Sequence, residues 1–365
     1  MRRAARGDGG SGAKPVNLAL QGGGSHGAYS WGVLDALVED ARLDIVGISG
    51  ASAVAMNAVV YAAGFAEGGR PEARAKLERF WLSVSTEGSL APAQRKLVDA
   101  WLKFCGGALP GIQWAVAWAE ALSQFVSPYA FNPFNVNPVR DHLAAAVDFG
   151  RLRAADGVKL FVAATNVRTG RGEIFRRDAL TVDHVMASAC LPTLFQAVEV
   201  GGEYYWDGGY AGNPPLWPLF YETGCNDLII VQINPIERTE VPRTPQDISN
   251  RLDEITFNSP LLAELRAADF VARLIRSGVL KTDGYRLERL HRIGGAGRLE
   301  CYDAATKFDV SWPFLQELRD LGRADAQAWL EAHFDAIGVE GTLDIDRELR
   351  RAPATAPVKG APAAG

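Results

Sequence analysis

The sequence has no run approaching the roughly 18 apolar residues that a membrane-spanning helix requires, so a spanning helix finds no support. It lacks a block of basic residues, and its net charge of −5 is mild, so no nucleic-acid partner is expected. Cysteine is scarce. Cys105, Cys190, Cys225 and Cys301 are scattered without a CxxC pair, which suggests neither a zinc site nor a disulfide framework and fits reduced thiols in a cytoplasmic protein. Histidine is scarce too, with five in the chain, and His142, His184, His291 and His333 carry no motif that would mark a catalytic base. No internal repeat is present.

What is there is ordinary for a globular protein: 48% hydrophobic and 22% charged residues. A chain of 365 residues can bury a large core and hold one big α/β domain or two smaller ones. Residues 1–14 are basic and Gly-rich with no apolar centre, unlike a secretory signal, and are expected to be a disordered lead-in. Residues 346–365, rich in Ala and Pro from Arg351 onward, are expected to be a disordered tail. One domain is expected over residues 15–345.

Within it, residues 16–21 form a short apolar run that ends in glycines, the pattern of a buried strand entering a tight loop. Helical spacing follows over 28–38, a second strand over 44–49 and a second helix over 53–63. Two such strand–loop–helix units indicate an α/β fold with a mostly parallel central sheet flanked by helices. Residues 159–166 read as a strand, 181–190 as a helix, 198–206 as a hairpin around Gly201-Gly202, and 228–234 as another buried strand. Amphipathic helices are expected over 248–277 and 312–337. Between these lies an aromatic-rich segment, about 86–140, that reads as a cap inserted over the main domain. Trp114 and Trp118, four apart in it, are candidates for acyl or lipid contact at a peripheral membrane surface, and equally for core packing.

Three short motifs can carry chemistry. Gly22-Gly23-Gly24-Ser25-His26-Gly27 joins a strand to a helix. Backbone N–H groups in such a loop can stabilise an oxyanion, but the letters also fit the dinucleotide fingerprint GxGxxG, with Asp44 standing 17 residues beyond Gly27. A plain tight turn is the third reading. Gly50-Ala51-Ser52-Ala53 again joins strand to helix. A sharp turn there exposes a nucleophilic Ser52 Oγ and sets the N–H of Ala53 at the reacting carbonyl; otherwise Ser52 is a helix cap. Ser49 in an overlapping pattern falls too early, inside the strand. Asp207-Gly208-Gly209 closes a strand. By itself it is a common turn, although a carboxylate touching a serine can serve as its base, and surrounding aromatics would raise its pKa.

The ordered set, a glycine loop, then a serine elbow, then Asp-Gly-Gly far downstream, resembles the patatin-like phospholipases. The likeness spans about 16–235 and includes Met56-Asn57-Ala58, residues 187–192 and residues 210–214. It implies a three-layer fold and hydrolysis of lipid or other esters without metal or organic cofactor. Ser52 would be the nucleophile, Asp207 base and then acid, and Gly22, Gly23 and Gly24 donors to the oxyanion. His26, near this site, is a candidate for substrate positioning. Two positions depart from the family pattern. His26 stands where many relatives carry Arg or Lys, and Val54 replaces the last glycine of the elbow. A compromised elbow would leave a lipid-binding or interaction protein, and a Rossmann-like dinucleotide enzyme is the rival from another reaction class. The sequence gives no oligomeric state.

Overall fold

The computed structural model describes residues 12–85, 127–238, 240–281, 285–294, 298–302 and 304–349. Its strands are β1 (Lys14–Leu20), β2 (Leu43–Gly50), β3 (Lys159–Asn166), β4 (Gly172–Arg176), β5 (Val198–Val200), β6 (Glu203–Asp207), β7 (Asp227–Gln232) and β8 (Arg289–Gly294). The helices are α1 (Gly27–Asp40), α2 (Ala53–Val84), α3 (Pro128–Phe131), α4 (Pro138–Ala146), α5 (Phe149–Ala154), α6 (Val182–Ser188), α7 (Trp217–Glu222), α8 (Pro245–Arg276), α9 (Trp312–His333) and α10 (Ile345–Leu349). The strands form one sheet in the order β5-β6-β3-β2-β1-β7-β8, with β4 paired to β3. Its middle, from β3 through β2, β1 and β7 to β8, is parallel, and β4, β5 and β6 join antiparallel.

Both faces of the sheet are covered, which is why β1 and β7 are apolar almost throughout. Leu18, Leu20, Ile229 and Val231 point into a core with α1, α2 and α9. Ala19, Leu228 and Ile230, one position out of step, point into a second core with α7 and α8. The period-two alternation of a strand thus feeds two layers of helices. α2 runs on well past residue 63, with non-helical backbone at Gly68 and Gly69 before Pro71. α8 starts at a capping box between Thr244 and Asp247, with Pro245 in the first turn.

Two expected boundaries move. Lys14, assigned to the disordered lead-in, is the first residue of β1, and its Nζ donates to the carbonyls of Phe334 (3.0 Å) and Ile337 (2.9 Å). α10 likewise extends into the expected tail. Of the expected cap, residues 86–126, with Trp114 and Trp118, lie outside the described residues. The described remainder comprises α3 and the start of α4 and exposes Tyr129 and Phe134. No helix among the described residues is long and apolar enough to cross a membrane.

Candidate active site

β1 and β2 are hydrogen-bonded neighbours with Leu20 opposite Gly50, so the glycine loop and the serine turn leave the sheet side by side at the carboxyl ends of two parallel strands. The contact between them is close. A Cβ on Gly22 would lie 2.6 Å from the Ala51 carbonyl oxygen and 3.0 Å from Ser52 Cβ, so only glycine fits. Gly24 adopts φ +61°, where glycine alone is unstrained.

Ser52 itself has φ 63° and ψ −141°. A residue with a Cβ is strained there, and such strain persists only when the surroundings hold it. The hold is visible: Ser52 N–H donates to both the carbonyl and the Oγ of Ser188, each at 3.0 Å. Val54, the departure from the elbow pattern, is fully buried in the core of α1 and α2. A Cβ on Gly50 would meet Val54 Cγ2 at 3.3 Å, so the absence of a side chain at Gly50 gives the valine its room.

Asp207 ends β6 and is completely buried. Its N–H donates to the Cys190 carbonyl (2.8 Å), its carbonyl accepts from Thr165 Oγ1 (2.8 Å), and its Oδ1 accepts from Gly209 N–H (2.8 Å). Oδ2 is buried and makes no hydrogen bond. Burial raises the pKa to about 6; the Gly209 N–H and then the nearby Ser52 hydroxyl act the other way. The Ser52 hydroxyl therefore stands close enough to favour the ionised carboxylate without forming a bond of full hydrogen-bond geometry to Oδ2. A carboxylate of this kind is ionised at neutral pH yet basic enough to take a proton.

The glycine loop is fixed by four buried amides: Gln21, Asn213, Asn234 and Asn258. Gln21 Oε1 accepts from the N–H groups of Ile233 (3.0 Å) and Asn234 (2.7 Å), and its Nε2 donates to Asn258 Oδ1 (2.8 Å). Gly22 N–H donates to Asn213 Oδ1 at 2.6 Å, and the Gly22 carbonyl accepts from Asn234 Nδ2 (2.9 Å) and Asn213 Nδ2 (3.3 Å). This corrects one expectation. The Gly22 N–H is spent on a side chain and is not available to an oxyanion. It also removes one of the amides a dinucleotide pyrophosphate would use. Gly23 and Gly24 keep N–H groups without an acceptor among the described residues, as does Ala53 at the first turn of α2.

His26 is buried against α9 and the 3₁₀ turn Ala304–Phe308, with its Nε2 2.8 Å from Thr306 Oγ1 and its ring edge-on to Tyr302 and Phe314. Burial, with Lys307 nearby, lowers its pKa to about 3, so it is a neutral ring. It has no hydrogen bond to Ser52 or Asp207. Among the other histidines, His184 caps α6, and His291 is tied to Asp227 and Thr342. Among the described residues no cluster of His, Cys, Asp and Glu could hold a metal ion.

The family model of the patatin-like phospholipases matches residues 18–220, more than half of the chain and every residue of the two loops and the buried aspartate. The chain belongs to the patatin-like phospholipase family. Its sheet and helices have the patatin-like α/β arrangement. Among solved structures the chain is similar to the crystal structure of VipD from Legionella pneumophila, at 17% identity over 85% of this chain and 67% of that one, with a TM-score of 0.38. No curated protein matches the chain.

Sequence reasoning missed the residues that hold the family's motifs in place. Ser188 and Asn213 fall in stretches that carry the family likeness but had no role there. Gln21, Asn234 and Asn258 were not singled out, although polar residues at the end of an apolar strand, such as Asn234 after β7, are a signal: a buried amide there must bond something.

Proposed function

We propose that the protein is a serine acyl hydrolase that cleaves carboxylic esters of lipids through Ser52 and Asp207. One observation supports this best. A serine in a strained turn with positive φ has its hydroxyl acting on a fully buried carboxylate that has one oxygen without a full hydrogen bond and no cation. Small inward movement of the hydroxyl, on substrate binding, would complete the hydrogen bond, since catalytic bonds are often loose before substrate arrives.

In this reading Asp207 takes the Ser52 proton as Oγ attacks the ester carbonyl. The carbonyl oxygen gains the negative charge and is held by the N–H groups of Gly23, Gly24 and Ala53, the last at the positive end of α2. Collapse breaks the ester C–O bond, and the Asp207 proton passes to the departing alcohol. Water then attacks the acyl-enzyme with Asp207 again as base, freeing the carboxylic acid and restoring Ser52. His26 has no part in proton transfer, being neutral and turned to Thr306.

The reading extends to a lipid surface. Ile248, Leu252 and Ile255 recur at helical spacing on α8 and are 44%, 58% and 48% exposed. Phe257, further along that helix, packs on Gly209 beside Asp207. An apolar stripe leading to the site suits a protein that works on aggregated substrate.

A fluorophosphonate probe with adduct mapping by mass spectrometry tests the core of this. The adduct should sit on Ser52, and Ser52→Ala should lose both adduct and ester turnover while staying folded. An adduct elsewhere, or wild-type turnover in Ser52→Ala, would remove the assignment.

A further inference from the structure

The amide set around the glycine loop ends on a lysine. The Gly22 carbonyl and the Gly23 N–H belong to one trans peptide, so they point in opposite directions. The carbonyl is held by Asn234 Nδ2 at 2.9 Å and Asn213 Nδ2 at 3.3 Å. Asn234 Oδ1 in turn accepts from Lys307 Nζ at 2.9 Å. Asn234 cannot swing away, because it is 2% exposed and its backbone N–H is fixed by Gln21. Lys307 lies on the 3₁₀ turn Ala304–Phe308, and its backbone carbonyl packs on Gly24, the next residue of the same loop.

A lysine reaching a surface amide would be an ordinary solvated contact. This one is not. Its flexible four-carbon stem could carry the amine to water, yet the amine sits in a desolvated place that pulls its pKa below the usual lysine value. Glu254 and Asp253 act against that shift, and Arg238 with it. Glu254 is already engaged by Arg238 (2.6 Å) and Arg251 (2.9 Å). Lys307 Nζ instead donates to Asn234 Oδ1. The donor role holds in either protonation state of the amine.

Bonds in series polarise one another in a low-dielectric interior. A donor on Asn234 Oδ1 makes Asn234 Nδ2–H a better donor to the Gly22 carbonyl. That in turn makes the N–H on the far side of the same peptide, Gly23, a better donor. We propose that Lys307 is a positioning residue for ester hydrolysis, acting through Asn234 to orient and polarise the Gly22–Gly23 peptide so that Gly23 N–H meets the oxyanion. The inference rests on the Ser52–Asp207 reading of the site. Asn234 and Lys307 both lie beyond the span matched by the family model, 18–220.

The test is steady-state hydrolysis of a short-chain ester by the full chain, comparing wild type, Lys307→Met, Asn234→Asp, the double variant and Ser52→Ala. Asn234→Asp keeps an acceptor for Lys307 but has no N–H for Gly22. Each single variant should lower kcat by about tenfold or more, a fraction of what losing a whole oxyanion donor costs, with KM within about twofold. Because the two residues act in series, the double variant should be no slower than the worse single one. Unchanged kcat in folded Lys307→Met or Asn234→Asp overturns the proposal, as do losses that multiply in the double variant or appear in KM alone. If Lys307→Met does not fold, Asn234→Asp decides. If neither folds, the pair belongs to the scaffold and the proposal falls. Wild-type turnover in Ser52→Ala would instead strike the underlying dyad, so the two failures are distinct.

Discussion

Two buried aspartates at strand ends, Asp207 closing β6 and Asp227 opening β7, have opposite fates. Asp227 is 2% exposed and fully engaged: Arg289 grips both oxygens at 2.9 and 2.6 Å, His291 Nε2 stands at 3.2 Å, and Gly338 N–H donates at 3.0 Å. Burial raises its pKa, but the hydrogen bonds of Arg289, Gly338 and His291 together outweigh that, and the net shift is downward. Asp207 has one N–H on one oxygen and no cation, and its pKa moves up. Equal burial therefore says little about role. A carboxylate whose lone pairs are all used is structural, and one with an oxygen left over, as at Asp207, is the candidate for chemistry.

The contrast is broken most severely by neutralising each residue in turn. Asp207→Asn should lower kcat by at least about 10⁴-fold, since losing one member of a serine hydrolase's catalytic unit costs about 10⁴ to 10⁶. Its melting temperature at pH 8 should rise, because a buried charge without a cation is gone. A loss of stability with activity retained would put Asp207 in the structural class. Asp227→Asn should do the reverse, costing roughly 3 kcal/mol in denaturant unfolding, since it leaves Arg289 without its partner. Turnover per folded molecule should stay within about twofold, in keeping with an aspartate that lies outside the site; a thousandfold drop would erase the distinction.

pH separates the two with opposite signs. Asp207 has a folded pKa near 6 against an ordinary 3.8, so between those values the native state keeps a proton that the unfolded chain has lost. Its contribution to stability falls as pH rises through that window and is level above about 6. Asp227, shifted below 3.8, contributes above that value and loses its contribution as pH falls through the lowered folded pKa. Unfolding titrations of the two Asn variants should each delete one of these slopes. kcat/KM for an ester should rise with pH and reach half its plateau at about pH 6. A profile flat from pH 4.5 to 8 would contradict Asp207 as base. The smallest effect belongs to His291→Gln. Arg289 still holds Asp227, so the expected cost is about 1 kcal/mol in thermal unfolding, and a loss as large as that of Asp227→Asn would show the ring to be the main partner.

Much of the fold was legible because it rests on local pattern. β1, β2, β3 and β7 are apolar runs bounded by glycine or a polar residue, and a sheet covered on both faces requires that. β8 was missed because Arg289-Leu290-His291-Arg292 does not look like a buried strand; as an edge strand it spends its polar side chains on Asp227 and Gln232. Val54 departs from the elbow pattern, yet its compensation is local: Gly50, four residues earlier, leaves the space it fills. The likeness over residues 210–214 includes Asn213 but does not disclose that its side chain, 191 positions away, takes the Gly22 N–H. Glycine-rich turns advertise themselves, whereas the side chains that clamp them do not.

The last residue of α6 and the short stretch after it grip both halves of the candidate site. Ser188 holds the amide of Ser52, and the carbonyl of Cys190 holds the amide of Asp207. Two tools bolted to one bracket shake together: thermal drift of the bracket shifts hydroxyl and carboxylate in common and largely cancels in the gap between them. A one-residue insertion at position 189 would keep both proposed reacting side chains and spoil their alignment.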